Sequence, residues 1–389
     1  MTGPDVLLAL PASVRIDPSE VGHLRSRIAA TRSAGFRGRE PWAFGTGREV
    51  LAEVLDLWAG FDVGALADSL NAIPQVDVRF GELTIRALHL RGEVDDALPI
   101  VITHGWPSTV LEVLPLAQRL AWPSRFGGAA SDAFHVVVPA LPGFPLSGAA
   151  LELGEYTAAS IADRWAQLMS ALGYDRFAAS GGDIGARVTV WLAARHPERV
   201  IGAHVTANAL WPELPGAELG PGEREYAGRL MAWEQDEGAY MHIQATKPLS
   251  LAHGLSDSPA GLAAWIVEKW HAWSGWGDDV LDRFAPELLG HLTLYWMTNS
   301  IATSFLPYHV AHRPPGMRPW GLDITVPVSF YLSPDDIGGI PPREFVARQY
   351  RIAGWTEFPR GGHFMASEEP DLLAADVRKA FRDSLSPPR

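Results

Sequence analysis

The sequence of 389 residues contains no cysteine. Disulfides, thiolate zinc sites, iron–sulfur clusters and cysteine nucleophiles are therefore excluded. Lysine is scarce as well, because Lys247, Lys269 and Lys379 are the only lysines among 32 basic residues. The formal net charge is −13, and such an acidic balance argues against binding to nucleic acid or to an anionic membrane surface, since both need basic patches.

The chain also lacks a long hydrophobic run. Its N-terminal stretch MTGPDVLLALPASVR has no basic start and no cleavage site of small residues, and its apolar part is too short for a membrane span. The histidines between residues 242 and 312 show no metal-ligand spacing such as HExxH. We therefore expect a cytoplasmic protein that contacts neither membrane nor nucleic acid and that needs no metal and no cofactor.

Hydrophobic periodicity divides the chain into three parts. Residues 12–70 carry apolar residues at helical spacing, and VDVRFGELTIRALHLR alternates as a β-hairpin around Gly81-Glu82. From residue 98, short β-rich runs alternate with helical segments, which predicts an α/β fold with a mostly parallel sheet and helices on both faces. The alternation stops at 211–315, where Trp-rich helical patterns such as AAWIVEKWHAW predict an insertion. We predict a helical extension at 1–75, an α/β core at 76–210 and 316–389, and a helical lid at 211–315.

The stretch SGGDIGARV places one carboxylate among small residues. Asp183 follows the apolar run RFAAS and precedes the helical pattern ARVTVWLAARH, which is the strand–turn–helix context of a nucleophile elbow with aspartate as the nucleophile. The glycines around it permit a strained turn and a close approach of substrate. The pattern alone is weak, because an aspartate that caps the following helix would give the same local sequence.

Further candidate residues follow in the order used by hydrolases with an α/β core. HGWP ends a predicted strand, and its turn can aim the backbone amide of Trp106 at a developing oxyanion, with the amide of Ile184 as the second donor. His104 of this turn is interpreted as a loop-shaping residue. His363 lies in the Gly-rich loop PRGGHFMASEEP, and VPVSFYLSPDDIGG ends a strand in Asp335-Asp336, where the acid of a triad would sit.

Motifs along nearly the whole chain add a family resemblance to these local patterns. They are PWAFG and LNAIPQV in the extension, HGWP, LPGFPLSG, GGDIG, YMHIQATKP, DSPAGLAAWIVEKW, LYWMTNSIATSF and the GGHF end. With them the chain resembles the microsomal-type epoxide hydrolases, including the N-terminal extension of that family. The resemblance implies an α/β-hydrolase core with a helical lid, in agreement with the periodicity, and an enzyme whose partners are a small-molecule epoxide and water.

The resemblance also implies residues that periodicity does not single out. In this family two lid tyrosines hydrogen-bond the epoxide oxygen, and they match Tyr240 in AYMHIQ and Tyr308 in SFLPYH. The family spacing places the acid at Asp336, where many members carry Glu, and leaves Asp335 as a possible substitute. Members commonly have Trp directly after the nucleophile, whereas this chain has Ile184, so one wall of the substrate pocket differs.

The expected reaction opens an epoxide to a vicinal diol through a covalent ester on Asp183, which water activated by His363 then hydrolyses. A carboxylate attacks the epoxide without first losing a proton, whereas a serine would form a stable ether. Trp106 and Ile184 are expected to contact the substrate, for which an aromatic or a secondary-metabolite epoxide fits. The alternatives are a haloalkane or haloacid dehalogenase with the same nucleophile, and a ligand-binding protein without turnover. The extension could brace the lid or form a homodimer surface.

Overall fold

The computed structural model describes residues 6–35, 40–150, 152–206, 219–312 and 322–385. These described residues form one sheet of nine strands in the order β1-β2-β3-β5-β4-β6-β7-β8-β9. The pairings from β5 through β9 are all parallel, which confirms the predicted α/β fold. The strands are β1 (Val6–Ala12), β2 (Gln75–Phe80), β3 (Leu83–Leu90), β4 (Leu98–Thr103), β5 (Phe134–Pro139), β6 (Phe177–Gly181), β7 (Val200–Thr206), β8 (Val328–Leu332) and β9 (Ile352–Glu357).

Helices connect and cover these strands. Within the described ranges, no helix combines the length and the hydropathy needed to cross a membrane. The helices are α1 (Pro18–Ala29), α2 (Arg48–Gly60), α3 (Val63–Asn71), α4 (Val110–Ala121), α5 (Ala158–Ala171), α6 (Ile184–Arg195), α7 (Pro221–Glu237), α8 (Ala239–Thr246), α9 (Pro248–Asp257), α10 (Pro259–Trp273), α11 (Val280–Thr298), α12 (Ile301–Ser304), α13 (Leu306–Ala311), α14 (Arg343–Val346), α15 (Met365–Glu368) and α16 (Pro370–Leu385).

The predicted hairpin joins the extension to the parallel part of the sheet. Strands β2 and β3 pair antiparallel, from Gln75 opposite Leu88 to Phe80 opposite Leu83. Gly81 in the turn has a φ of 59°, a conformation that glycine adopts without steric cost. Strand β3 in turn pairs antiparallel with β5, so the hairpin continues the sheet rather than standing apart from it.

The extension contributes a strand as well as helices. Residues 6–12 form β1, which pairs antiparallel with β2 at one edge of the sheet. The hydrophobic pattern of the extension predicts only helices, and this strand was not predicted. Its sequence VLLALPA is apolar throughout, so it shows no alternation that would distinguish a strand from a helix.

The predicted lid is helical where it can be described. Helices α7 to α13 follow β7 and precede β8 in the chain, and residues 219–312 contain no strand. The predicted boundaries of the lid, at 210/211 and 315/316, lie outside the described residues. The domain division therefore stays a prediction.

The extension packs against the lid through buried polar contacts. The Trp58 side chain of α2 is buried, and its indole Nε1 donates a 2.9 Å hydrogen bond to Thr293 Oγ1 of α11. Thr46 Oγ1 donates a 2.9 Å hydrogen bond to the Ala264 carbonyl of α10. These contacts support the bracing role of the extension, while a dimer surface stays a prediction.

We predict that Trp58→Ala lowers the free energy of unfolding by about 3–5 kcal/mol, because it leaves a cavity between α2 and α11 and an unpaired Thr293 hydroxyl. Chemical denaturation followed by circular dichroism measures the change. Leu57→Ala is the matched control, since Leu57 lies on the same helix and is 42% exposed, and it should change the stability by less than about 1 kcal/mol. Equal effects of the two substitutions would contradict the bracing role.

Candidate active site

Asp183 occupies a strained turn between β6 and α6. Its backbone has φ 51° and ψ −121°, which lies in the positive-φ region that non-glycine residues rarely adopt. Asp183 immediately precedes the first residue of α6, but its side chain makes no capping hydrogen bond to that helix. The alternative interpretation as a simple helix cap is therefore wrong, and the geometry is that of a nucleophile elbow.

Glycines around the elbow allow three chain segments to meet. A Cβ atom at Gly185 would lie 2.0 Å from the Thr103 carbonyl oxygen at the end of β4. A Cβ atom at Gly105 would lie 2.4 Å from the Asp183 Cβ. No side chain fits at either position, so glycine is required for the end of β4 and the following turn to approach the elbow this closely.

The Asp183 carboxylate is held between a backbone amide and an imidazole. The Trp106 amide donates a 3.0 Å hydrogen bond to Oδ1, and His363 Nε2 lies 3.5 Å from Oδ2. Burial alone would raise the pKa of Asp183, but the hydrogen bond and charge of His363, followed by the Trp106 amide, lower it below the ordinary value. The side chain stays 22% exposed, so an ionised oxygen remains open to a reacting molecule.

His363 is paired with Asp336 on its other nitrogen. Nδ1 lies 2.8 Å from Asp336 Oδ1, whereas Asp335 is exposed. Of the two candidate acids, the structure thus brings Asp336 to the imidazole. Burial alone would lower the pKa of His363, but the charge of Asp336 and the hydrogen bonds with Asp183 and Asp336 raise it to about 10. The imidazole is therefore protonated at neutral pH beside the ionised carboxylate of Asp183.

Glu368 fixes the loop that carries His363, and this role of Glu368 was not predicted from the sequence. Its carboxylate accepts hydrogen bonds from the amides of Gly275 and Gly362 at 2.8 Å and of Phe364 at 2.9 Å. The His363 amide itself donates a 2.7 Å hydrogen bond to the Trp273 carbonyl. Glu368 thus ties the histidine loop to the end of α10, a role that spacing alone could not reveal.

The two predicted oxyanion donors are the backbone amides of Trp106 and Ile184, the residue that directly follows Asp183. Ile184 is the first residue of α6, where an amide has no acceptor within the helix and points toward the helix N-terminus. The Trp106 amide already contacts Asp183. His104 shapes this turn as predicted, because its Nε2 accepts a 3.2 Å hydrogen bond from the Leu141 amide and its Nδ1 lies 3.0 Å from the Gly105 carbonyl oxygen.

The two predicted lid tyrosines lie over the same tryptophan. The Tyr240 ring stacks on Trp106 with centroids 5.3 Å apart, and the Tyr308 ring meets Trp106 edge-on at 5.9 Å. The tyrosine rings are 5.9 Å apart, and their hydroxyls share a hydrogen bond. Burial, with the charge of Asp183 adding to it, raises the pKa of both phenols, so both are neutral and keep their hydroxyl protons.

Like Glu368, Glu112 is a buried acid that was not predicted from the sequence. It lies on α4, one turn after the HGWP loop, and its side chain hydrogen-bonds Ser108. Burial, together with the negative charges of Glu287 and Asp183, raises the pKa of Glu112 to about 8 even though the charge of His363 opposes the rise. Glu112 therefore adds little negative charge to the site at neutral pH.

A Ser–His–Asp chain beside the elbow is structural. Ser180 Oγ lies 3.3 Å from His204 Nδ1, and His204 Nε2 lies 3.0 Å from Asp376 Oδ2. Asp376 also accepts a hydrogen bond from Thr356 Oγ1. All three members of the chain are buried, so these contacts join α16 to β6, β7 and β9 and offer no serine to a substrate. Among the described residues no cluster of histidine and acidic side chains could hold a metal ion.

Comparisons with known proteins identify the family of the chain. A family model described as "Epoxide hydrolase N terminus" matches residues 9–113, and one described as "alpha/beta hydrolase fold" matches residues 99–238. A Stigmatella aurantiaca protein that is provisionally named an epoxide hydrolase is 35% identical over 375 residues, which cover 96% of this chain and 84% of the relative. The chain belongs to the microsomal-type epoxide hydrolases. Epoxide hydrolase 1 of Oryctolagus cuniculus is 29% identical over 406 residues, with 95% of this chain and 88% of the relative covered.

Solved structures of epoxide hydrolases extend the similarity to the whole fold. The juvenile hormone epoxide hydrolase of the silkworm Bombyx mori superimposes with a TM-score of 0.86 at 26% identity, covering 98% of this chain and 95% of that one. The Aspergillus niger epoxide hydrolase gives a TM-score of 0.84 at 28% identity, covering 98% and 97%. The enzyme is thus an epoxide hydrolase, which cleaves an ether bond, on an α/β-hydrolase fold.

We predict that Glu112→Gln stabilises the enzyme in a pH-dependent way. The pKa of Glu112 rises from 4.5 to about 8, so its contribution to stability is present below pH 4.5 and is lost as the pH rises through about 8. The variant should therefore gain melting temperature relative to wild type at pH 9 but little at pH 5. Differential scanning calorimetry measures both, and Glu53→Gln, which makes the same substitution at an exposed position of α2, is the matched control. A gain that is larger at pH 5 would contradict the buried-acid assignment.

Proposed function

We propose that the enzyme opens its epoxide through a covalent ester on Asp183. The observation that carries this proposal is the state of the Asp183 carboxylate. It is ionised and partly exposed, and the Trp106 amide holds it in place. The phenols of Tyr240 and Tyr308 are neutral. In the first step a free carboxylate oxygen attacks a ring carbon, and the carbon–oxygen bond of the epoxide breaks. The electron pair moves to the epoxide oxygen, which takes a proton from Tyr240 or Tyr308.

The second step hydrolyses the ester. His363 removes a proton from a water molecule, and the water oxygen attacks the Asp183 carbonyl carbon. The negative charge that develops on the carbonyl oxygen is stabilised by the amides of Trp106 and Ile184. The tetrahedral intermediate collapses, and the bond to the substrate oxygen breaks. The leaving alkoxide takes the second proton of the attacking water and departs as the vicinal diol, and the carboxylate is regenerated with one oxygen atom from the water.

Charge changes at Asp183 prepare His363 for this second step. In the resting enzyme two carboxylates keep the imidazole protonated, with a pKa of about 10. Formation of the ester removes the negative charge of Asp183 and weakens the hydrogen bond that His363 Nε2 donates to it, so the pKa of His363 falls toward the value that Asp336 alone sustains. The imidazole can then release its proton to the phenol that served as the acid and become the base for water.

The substrate that fits these surroundings best is an epoxide with an aromatic or other apolar body. Aromatic rings surround the reacting groups, since Trp106 lies 6.2 Å from Trp273 and 6.1 Å from Phe305 between ring centroids. Such rings bind flat apolar groups through dispersion and offset stacking. Ile184 replaces a bulkier family residue next to the nucleophile and leaves more room there. Aryl epoxides and epoxides formed in secondary metabolism both match this chemistry.

The ester mechanism predicts that oxygen from water enters Asp183. When the enzyme turns over a racemic aryl epoxide in oxygen-18 water, mass spectrometry of the Asp183 peptide should show label that increases over several turnovers. Asp183→Ala should lower the rate of diol formation by at least about 10³-fold, because the nucleophile is lost. Asp335→Ala, which removes an exposed neighbour of the acid, should retain most of the activity. Diol formation without label in the Asp183 peptide would contradict the ester.

The two steps should also respond differently to pH and to His363→Gln. The variant should still form the ester, visible as an increase in protein mass equal to one epoxide, but should hydrolyse it at least about 10²-fold more slowly. In wild type, single-turnover hydrolysis should slow as the pH falls through the pKa of His363 in the ester, which lies below its resting value of about 10. Ester formation should stay constant down to the ordinary aspartate pKa of 3.8, because the pKa of Asp183 is lower still. Hydrolysis that accelerates at low pH would contradict this assignment.

Dehalogenation by the same nucleophile is a second candidate activity with one observation in its favour. The indole Nε1 of Trp106 is buried and has no hydrogen-bond partner among the described residues, and such an N–H can hold a halide. The position after the nucleophile, however, is Ile184 and supplies no second indole. Release of chloride from haloalkanes, in addition to diol from epoxides, would support this second activity.

A further inference from the structure

Lys269 is the one buried lysine among the three lysines of the chain, all of which the structure describes. It lies on α10 with 7% of its side chain exposed. Its Nζ is 2.6 Å from Glu268 Oε2 and 3.3 Å from Glu237 Oε2 at the end of α7. A buried ammonium group needs carboxylate partners to offset its loss of hydration. The two reaction steps proposed above do not involve Lys269.

The ammonium group of Lys269 lies over the ring of Tyr240. The distance from Nζ to the Tyr240 ring centroid is 5.1 Å, and the distance to the Trp273 centroid is 5.5 Å. Both distances are within the range of cation–π attraction, which reaches about 6 Å. The Tyr240 ring also stacks on Trp106 with an interplanar angle of 8°. Contacts with both Lys269 and Trp106 therefore fix the plane of this phenol.

We propose that Lys269 is a positioning residue that orients Tyr240 and strengthens it as the acid toward the opening epoxide oxygen. This inference rests on the proposed function, because it concerns the first step of that reaction. Lys269 forms no bond to the substrate and transfers no proton. The proton that moves belongs to the Tyr240 hydroxyl, and it goes to the epoxide oxygen as the carbon–oxygen bond breaks.

The charges around Tyr240 support this role. Negative charge develops on the phenol oxygen as its proton leaves, and a cation near the ring stabilises that charge. Glu237 acts in the opposite direction and raises the pKa of Tyr240. Lys269 pairs with Glu237 and so offsets its effect. Loss of Lys269 would remove the cation. It would also leave the carboxylates of Glu237 and Glu268 without their cationic partner.

The contact is specific to one of the two tyrosines. Within the described part of the chain, Lys269 lies over Tyr240 and has no ring contact with Tyr308. The charge of Arg187, by contrast, acts on both phenols. A change at Lys269 should therefore act on the first step only when the Tyr240 hydroxyl is present, and it should still act when the Tyr308 hydroxyl is absent.

A double-mutant cycle tests the proposal with an aryl epoxide as the probe. The rate of ester formation is measured in single turnovers by stopped-flow tryptophan fluorescence, and protein mass confirms the ester. Lys269→Met should slow this step about three- to thirtyfold, the range expected for a desolvated cation–π contact. Lys269→Arg should recover most of the rate. The double variant Lys269→Met/Glu237→Gln, which also removes the carboxylate of Glu237, should recover part of the rate of ester formation. It replaces Lys269→Met in the experiment if that single variant fails to fold.

The tyrosine backgrounds decide between a positioning role and a purely structural one. In the Tyr240→Phe background Lys269→Met should change the rate less than about twofold, whereas in the Tyr308→Phe background the full effect should persist. Equal slowing in the Tyr240→Phe and wild-type backgrounds, or no slowing in either, would overturn the proposal while the ester mechanism stands. If wild type forms no ester on Asp183 at all, the proposed function itself fails, which is a separate and distinguishable result.

Discussion

The backbone strain at Asp183 is the constraint on which the rest of the site depends. A residue with a side chain is held at a positive φ, and such strain persists only where the surroundings determine the conformation. Here the surroundings are the end of β4, which packs against Gly185, and the HGWP turn, which packs against the elbow at Gly105. The Trp106 amide and the start of α6 reach the carboxylate because these close approaches are possible.

In the proposed mechanism, the charges around His363, rather than the shape of the site, determine the order of the two reaction steps. One imidazole lies between two carboxylates, so in the proposed mechanism its proton is retained until one of those carboxylates becomes an ester. Glu112 could disturb this balance, but its raised pKa keeps it largely neutral near pH 7. Glu368 is also buried close by, yet three backbone amides surround its carboxylate. The site therefore contains several acids, of which only Asp183 and Asp336 act directly on the imidazole.

The sequence predicts the elbow, the histidine loop and the sheet because each is encoded in a short local pattern. The choice of Asp336 over Asp335 depends on which side chain turns toward His363, and family spacing rather than local pattern indicates it. The roles of Glu112, Glu368 and Lys269 depend on contacts between distant elements, such as α10 with α7, that no local pattern records. Strand β1 is missed for a different reason, because a uniformly apolar run has no periodicity and its partner lies far along the chain.

The hydrogen bond between Trp58 and Thr293 has a consequence for any attempt to exchange parts between members of this family. The helices α10 and α11 contact the extension, so the aromatic side chain that α10 places beside Trp106 rests in part on residues near the start of the chain. A graft of the lid alone would separate Thr293 from its donor and would leave α11 with a mismatched neighbour. The extension and the lid should therefore be exchanged together. Differences in substrate preference between members of the family should likewise be compared with the sequences of both segments.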